Sequence, residues 1–114
     1  MLKFLLTIPL VLIQSLVIQE VEKSSVIDLI DEKVTLVDLR TDLEFERGTI
    51  GESINIDFRN KTFIDKVSKL DKDKPYVIYC FSGNRSQKAS IIMEYLGFKK
   101  IYHYKSGYSD WTKD

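Results

Sequence analysis

The stretch PYVIYCFSGNRSQKASIIMEYLG, residues 75 to 97, joins a strand pattern to a helix pattern. It opens with an aromatic and β-branched run of strand length and passes through a Ser-Gly-Asn turn. It then changes near Arg85 to a helical pattern that stops at Gly97. We therefore predict a strand over 75–80 and a helix over 85–97, which together form one unit of an α/β protein.

The same alternation continues on both sides of this unit. The segment VTLVDLR, 34–40, is a nearly continuous apolar run, which is typical of a strand buried on both faces. Further helices are predicted over 24–33, 41–48 and 58–70, and further strands over 53–56 and 100–104. The pattern predicts an α/β fold with a mostly parallel central sheet covered by helices on both faces.

Composition narrows the possible functions. The chain has 114 residues, enough for one compact domain, and its 17 basic and 17 acidic residues are interspersed. With zero net charge and no basic stripe, no nucleic-acid partner is expected. A single cysteine excludes an internal disulfide, and one histidine without a Cys/His pair at ligand spacing argues against zinc, so we expect no metal and no cofactor.

The first 19 residues differ from the rest. An apolar run follows Lys3, as in the hydrophobic region of a secretory signal. The same segment could stay as an uncleaved membrane anchor, although it is shorter than the roughly twenty residues of a span. We expect residues 1–19 to be a signal peptide or anchor, 20–114 to be the domain, and the protein to be exported, either periplasmic or membrane-anchored. A buried N-terminal element in a cytoplasmic protein is the alternative.

The cysteine lies where parallel sheets bind their ligands. Cys80 ends a predicted strand, and ligands bind just beyond the carboxyl ends of such strands. A helix beginning near Arg85 would direct its unpaired amides and the positive end of its dipole at the turn, and the arginine adds a permanent charge. Both features favour a thiolate, so we expect Cys80 to be a nucleophile rather than an inert buried cysteine.

Spacing separates two chemistries that use such a loop. Tyrosine phosphatases place five residues between cysteine and arginine, whereas four residues lie between Cys80 and Arg85. The tighter loop suits the sulfur of a persulfide better than a phosphoryl group. A cysteine phosphatase or arsenate reductase remains an alternative.

Three blocks of the chain together resemble one family. CFSGNRS, 80–86, matches the C-x-x-G-x-R-S active loop of the single-domain rhodaneses, which are sulfurtransferases. LVDLRTDLEFERGTIGESINI, 36–56, and SGYSDW, 106–111, resemble two other segments of that family in the same order. The resemblance covers about residues 20–114. Thr49, Gly51 and Ser106 depart from the family's usual His, Pro and Gly, and we expect altered loop packing there.

The resemblance implies a rhodanese-like fold and a two-step reaction. Cys80 would take sulfane sulfur from thiosulfate or a persulfide and pass it to cyanide or a thiol, including a protein thiol. The neutral turn around Arg85 favours a less charged persulfide donor over dianionic thiosulfate. The resemblance assigns the sulfur-binding cradle to Phe81, Ser82, Gly83, Asn84, Arg85 and Ser86. A persulfide carrier with little turnover of its own is the alternative.

Other polar residues are expected to have structural roles. Asp38 and Arg40 are candidates to support the site, and an Asp-x-Arg at a strand end most often ties neighbouring loops together. Glu44 is expected to join the same network. His103, on the predicted last strand, is expected to be a satisfied or exposed side chain rather than a base.

Overall fold

The structure is a computed structural model that describes residues 15–113. Its centre is a five-stranded sheet in the order β1-β5-β4-β2-β3 with every pairing parallel, which confirms the predicted fold class. The strands are β1 (Ile18–Glu20), β2 (Thr35–Asp38), β3 (Ile54–Asn55), β4 (Pro75–Tyr79) and β5 (Lys100–His103). The helices are α1 (Lys23–Asp31), α2 (Asp42–Glu46), α3 (Phe63–Ser68), α4 (Asn84–Tyr95) and α5 (Gly107–Trp111).

Two apolar cores cover the two faces of the sheet. Successive side chains of β4, and that of Cys80 directly after it, point to opposite cores, because side chains alternate between the two faces of a strand. Ile78 and Cys80 belong to the first core, with α3 and α4, whereas Val77 and Tyr79 belong to the second, with α1 and α5. The predicted arrangement of helices on both faces is confirmed.

Local chemistry sets the ends of the helices next to the site. Thr41 caps α2 with a reciprocal capping box, in which its hydroxyl accepts from the Glu44 amide and the Glu44 carboxylate accepts from the Thr41 amide. α4 begins directly after Gly83, whose φ is +99°. It ends before Gly97, whose φ of +101° suits glycine.

The N-terminal boundary differs from the prediction. β1 begins at Ile18, inside the segment assigned to a leader, and it pairs with β5. Ser15 Oγ donates to Glu94 Oε2 at 2.8 Å, and Val17 O accepts from the Ile101 amide at 2.9 Å. The folded domain therefore includes residues 15–19, because the apolar pattern there serves an edge strand. Residues 1–14, where most of the leader prediction falls, lie outside the described residues.

Helix α3 is shorter than the helix predicted over 58–70. α3 begins at Phe63 rather than near residue 58, because the Asn60 side chain accepts from the Thr62 amide and closes a turn just before the helix. Phe58 still packs edge-on against Phe63, with ring centroids 5.0 Å apart.

Within residues 15–113, no helix is long and apolar enough to cross a membrane.

Candidate functional site

Cys80 forms the floor of a loop at the carboxyl end of β4. Its side chain is 1% exposed, and Sγ accepts from the Gly83 amide at 3.2 Å and the Ser86 amide at 3.4 Å. The Ser86 hydroxyl lies 3.3 Å from the same sulfur. The Ser86 amide is free to do this because the first amides of a helix have no partner within the helix. The predicted strand–turn–helix unit thus brings polar hydrogens together on one sulfur.

These donors control the ionisation of the cysteine. Burial alone raises the pKa of Cys80, but hydrogen bonds from the Ser86 hydroxyl and from the amides of Ser86, Gly83 and Ser82 lower it more. The net pKa lies below the ordinary value of 9.0. A lowered pKa increases the fraction of thiolate, which is the nucleophilic form of cysteine.

Two glycines allow the loop to close tightly. A Cβ on Gly83 would lie 2.5 Å from the carbonyl oxygen of Lys105, in addition to the strain of its positive φ. A Cβ on Gly107 would lie 2.5 Å from the carbonyl oxygen of Cys80. The same segment holds the loop from outside, since the Tyr108 amide donates to Cys80 O at 2.9 Å. The segment after β5 therefore packs against the backbone of the Cys80 loop.

The charge of Arg85 is balanced within the protein. Its guanidinium donates to both carboxylate oxygens of Glu44, at 2.8 and 3.2 Å. This bond lowers the pKa of Glu44 to about 2, against a smaller opposing effect of burial. The structure differs from the sequence-based expectations in two ways. Arg85 is not an uncompensated charge beside the sulfur, and the Glu44 carboxylate bonds to Arg85 rather than to Asp38 or Arg40.

A pocket opens above the cysteine. Its cavity volume is about 390 Å³, and Phe81, 48% exposed, stands beside it. Its lining consists of Phe58, Arg59, Cys80, Phe81, Ser82, Asn84, Arg85 and Lys88. A slightly larger hollow, about 430 Å³, lies between Ile30 and Glu52 and includes no residue of the Cys80 loop. The pocket of about 390 Å³, which Cys80 lines, is therefore the candidate site.

Comparison with known proteins agrees with this geometry. Residues 22–114 match the family model described as the rhodanese-like domain. The chain belongs to the rhodanese-like domain family. The resemblance found in the sequence is thereby confirmed.

Relatives of the domain carry two different names. It is 40% identical over 88 residues to the tRNA uridine(34) hydroxylase of Pelagibacter ubique strain HTCC1062, covering 75% of this chain but 29% of that protein. It is 34% identical over 81 residues to the thiosulfate sulfurtransferase GlpE of Pseudomonas savastanoi pv. phaseolicola, covering 71% of this chain and 74% of the relative. A crystal structure of a rhodanese-related protein from Thermoplasma volcanium superposes with a TM-score of 0.73 at 29% identity, covering 82% and 89% of the two chains.

The predicted cradle residues divide into two groups. In this rhodanese-like domain, Gly83 and Ser86 contact Cys80 Sγ directly, and the Ser82 amide also lowers the pKa of Cys80. Phe81, Asn84 and Arg85 line the pocket instead.

Asp38 and Arg40 form a buried network behind the site. Their side chains pair at 2.7 Å, and Thr49 Oγ1 donates to the same carboxylate at 2.8 Å. The Tyr79 hydroxyl lies 3.1 Å from that carboxylate, and its burial raises the pKa of Tyr79 to about 12. The Arg40 guanidinium stacks 3.9 Å from the ring centroid of Tyr108. The pair thus ties loops together, including the segment that holds Cys80 O, without touching Cys80.

Sequence reasoning missed one residue beside the site. His103 is 2% exposed, and its Nε2 lies 2.7 Å from Ser86 Oγ. The only available signal was its position at the carboxyl end of a strand. The strand order that places β5 beside β4 is not encoded in local patterns, so no local pattern pairs His103 with Ser86.

Proposed function

We propose that this rhodanese-like domain is a sulfurtransferase that carries sulfane sulfur on Cys80. One observation carries the proposal: a buried sulfur receives two backbone amides and faces a hydroxyl at the floor of an open pocket. Hydrogen-bond donors arranged in advance around a sulfur stabilise negative charge there without reorganisation.

The reaction balances without an external oxidant. The Cys80 thiolate attacks the outer sulfur of the donor, so an S–S bond forms to Sγ while the donor's S–S bond breaks. Its electron pair leaves with the donor, as sulfite from thiosulfate or as a thiolate from a persulfide. An acceptor thiolate or cyanide then attacks the terminal sulfur, and the electron pair of the broken bond returns to Sγ.

The charges around the pocket support a donor of low charge. Arg85 is paired with Glu44, and the other cations of the pocket lining, Arg59 and Lys88, are exposed and screened by solvent. A dianion such as thiosulfate would find little uncompensated charge beside the sulfur. We therefore propose a thiol-bound persulfide as donor and a small or protein thiol as acceptor.

Steady-state kinetics with two donors test this assignment. We expect kcat/KM with the persulfide of 2-mercaptoethanol, which carries at most one negative charge, to exceed that with dianionic thiosulfate by roughly tenfold, the equivalent of about 1.4 kcal/mol. Equal values, or a preference for thiosulfate that Arg59→Ala abolishes, would contradict the donor assignment. A single turnover followed by arrest would instead indicate a carrier.

The names of the relatives support the class more than the detailed activity. The sulfurtransferase relative is matched over most of its length, whereas the match covers 29% of the hydroxylase. Sulfur transfer is therefore proposed here and hydroxylation is not. Aryl phosphate hydrolysis by the wild-type chain that Cys80→Ser abolishes would favour phosphatase chemistry.

Export remains a proposal that rests on the apolar sequence of residues 1–14. If a leader is removed, the cut is expected before Val17, because a later cut would remove the backbone that pairs with β5. N-terminal sequencing of the protein from periplasmic and cytoplasmic fractions tests both points. A mature N-terminus after Gln19, or an intact chain in the cytoplasm alone, would contradict them.

A further inference from the structure

A buried line of three side chains leads away from the reactive sulfur. Cys80 Sγ lies 3.3 Å from Ser86 Oγ, which in turn lies 2.7 Å from His103 Nε2. All three residues are at least 98% buried. They come from three neighbouring elements: the end of β4, the first turn of α4 and the end of β5. Ser86 is thus the only link between histidine and sulfur in this line.

The number of hydrogens decides how the line is arranged. Serine carries one hydroxyl hydrogen, while its oxygen can accept two further bonds. When Cys80 is a thiolate, sulfur needs that hydrogen, because a bond to an ionised acceptor is the stronger one. A bare Nε2 would then face the serine oxygen with no hydrogen between them. With Cys80 ionised, the 2.7 Å contact is therefore favourable only when Nε2 carries a hydrogen.

We propose that His103 is a positioning residue whose Nε2–H donates to Ser86 Oγ and thereby directs the hydroxyl hydrogen at Cys80 Sγ. The inference deepens the proposed sulfur transfer and rests on it for its purpose. His103 touches neither the pocket nor the sulfur, so it acts only through Ser86. Without it, the hydroxyl would be free to rotate away from the thiolate.

The surroundings of His103 keep the ring neutral at ordinary pH. Burial lowers its pKa below 6.5, a nearby Lys105 lowers it further, and Glu20 acts in the opposite direction. Glu20 lies on β1, which pairs with β5, and Lys105 follows β5; the two form an ion pair at 3.8 Å. On the side of the sulfur, the charged groups are the Cys80 thiolate and Arg85, and Arg85 is balanced by Glu44. A neutral ring has one N–H, and the serine contact places it on Nε2.

The chain offers an unusually clean test, because it contains one cysteine and one histidine. The rate of alkylation of the full chain by iodoacetamide, followed by mass spectrometry across pH, reports the pKa of the Cys80 thiol alone. We expect His103→Leu to raise that value by about 0.5 to 1 pH unit, comparable to the loss of one oriented hydrogen bond. His103→Gln, which keeps an N–H donor, is expected to leave the pKa of Cys80 close to its wild-type value.

Two controls separate this role from a structural one. In a Ser86→Ala background, His103→Leu should cause no further shift, because the link is already missing. Ser90→Ala removes a buried hydroxyl one turn later on α4, which donates to Gln87 O at 2.6 Å, and should leave the titration unchanged. A His103→Leu shift that persists without Ser86, or an equal shift in His103→Gln, would overturn the proposal.

NMR spectroscopy of the wild-type chain tests the proposal without any variant, and so remains informative if a variant fails to fold. The ¹⁵N shifts of the single histidine in the wild-type chain distinguish the two neutral forms of the ring. Above the pKa of Cys80 we expect the hydrogen on Nε2; a hydrogen on Nδ1 with bare Nε2 would overturn the inference. Neither measurement uses a sulfur donor, so failed sulfur transfer with a positive result here would refute the function and leave the positioning role intact.

Discussion

The ion pair between Glu44 and Arg85 should make the stability of the domain depend on pH in a defined range. The pKa of Glu44 falls from 4.5 to about 2 in the folded protein, chiefly through the Arg85 bond. At about 1.4 kcal/mol per pKa unit, the upper limit of its contribution is about 3.5 kcal/mol. The Glu44 side chain is 33% exposed, so solvent screening reduces the expected contribution to about 1–2 kcal/mol.

The sign follows from the direction of the shift. A carboxyl whose pKa is lowered by folding stabilises the protein fully above its unfolded value, and that stability is lost as pH falls through the folded value. Glu44→Gln should therefore lower the free energy of unfolding by about 1–2 kcal/mol at pH 7, and the difference from wild type should fall below half by about pH 3. Urea unfolding followed by circular dichroism at several pH values measures it.

Glu46→Gln is the matched control for this experiment. Glu46 lies on the same helix α2, is exposed, and takes part in none of the ion pairs found in residues 15–113. Its substitution should change the free energy of unfolding by less than about 0.5 kcal/mol at any pH. A Glu44→Gln effect that is the same at pH 3 and pH 7, or no larger than that of Glu46→Gln, would refute the reasoning.

Three further changes test other parts of the structure. Gly83→Ala should destabilise the protein by about 1–3 kcal/mol, because its positive φ and the Lys105 carbonyl both oppose a Cβ; an unchanged Tm would contradict this. Tyr79→Phe should lower the free energy of unfolding by about 1–3 kcal/mol, since it leaves partners such as Asp38 without the phenol hydroxyl; a loss below about 0.5 kcal/mol would contradict it. A chain that begins after residue 19 should lose about 2–4 kcal/mol relative to one that begins at residue 15, and equal urea midpoints would show that β1 contributes nothing.

Local patterns were sufficient for the elements that surround the cysteine. The apolar run before Cys80 and the Gly83 turn predicted the strand, the loop and the start of α4, because each depends on neighbours in the chain. The helix predicted over 41–48 is likewise present as α2, and the structure shows Thr41 as its cap.

Contacts between distant segments could not be obtained in the same way. Glu44 was assigned to Asp38 and Arg40 because those residues are close in sequence, yet its carboxylate reaches Arg85, 41 positions away. The role of His103 depends on β5 lying beside β4, which is a property of the strand order. Each of these contacts arises only once the sheet is assembled.

The N-terminal segment shows a different limit. An apolar run can serve a leader, a membrane anchor or an edge strand, and its composition is similar in all three cases. Pairing of Ile18 with Ile101 assigns the last part of the run to the sheet.

Acceptance of a sulfur atom by Cys80 can be detected as a change in intact mass. The full chain and Cys80→Ser are each incubated with thiosulfate or with a glutathione persulfide, and their masses are determined by mass spectrometry before and after addition of cyanide. We expect a gain of one sulfur atom in the wild-type chain alone, and its loss with cyanide as thiocyanate forms. No gain with either donor, or an equal gain in Cys80→Ser, would show that Cys80 is not the sulfur acceptor.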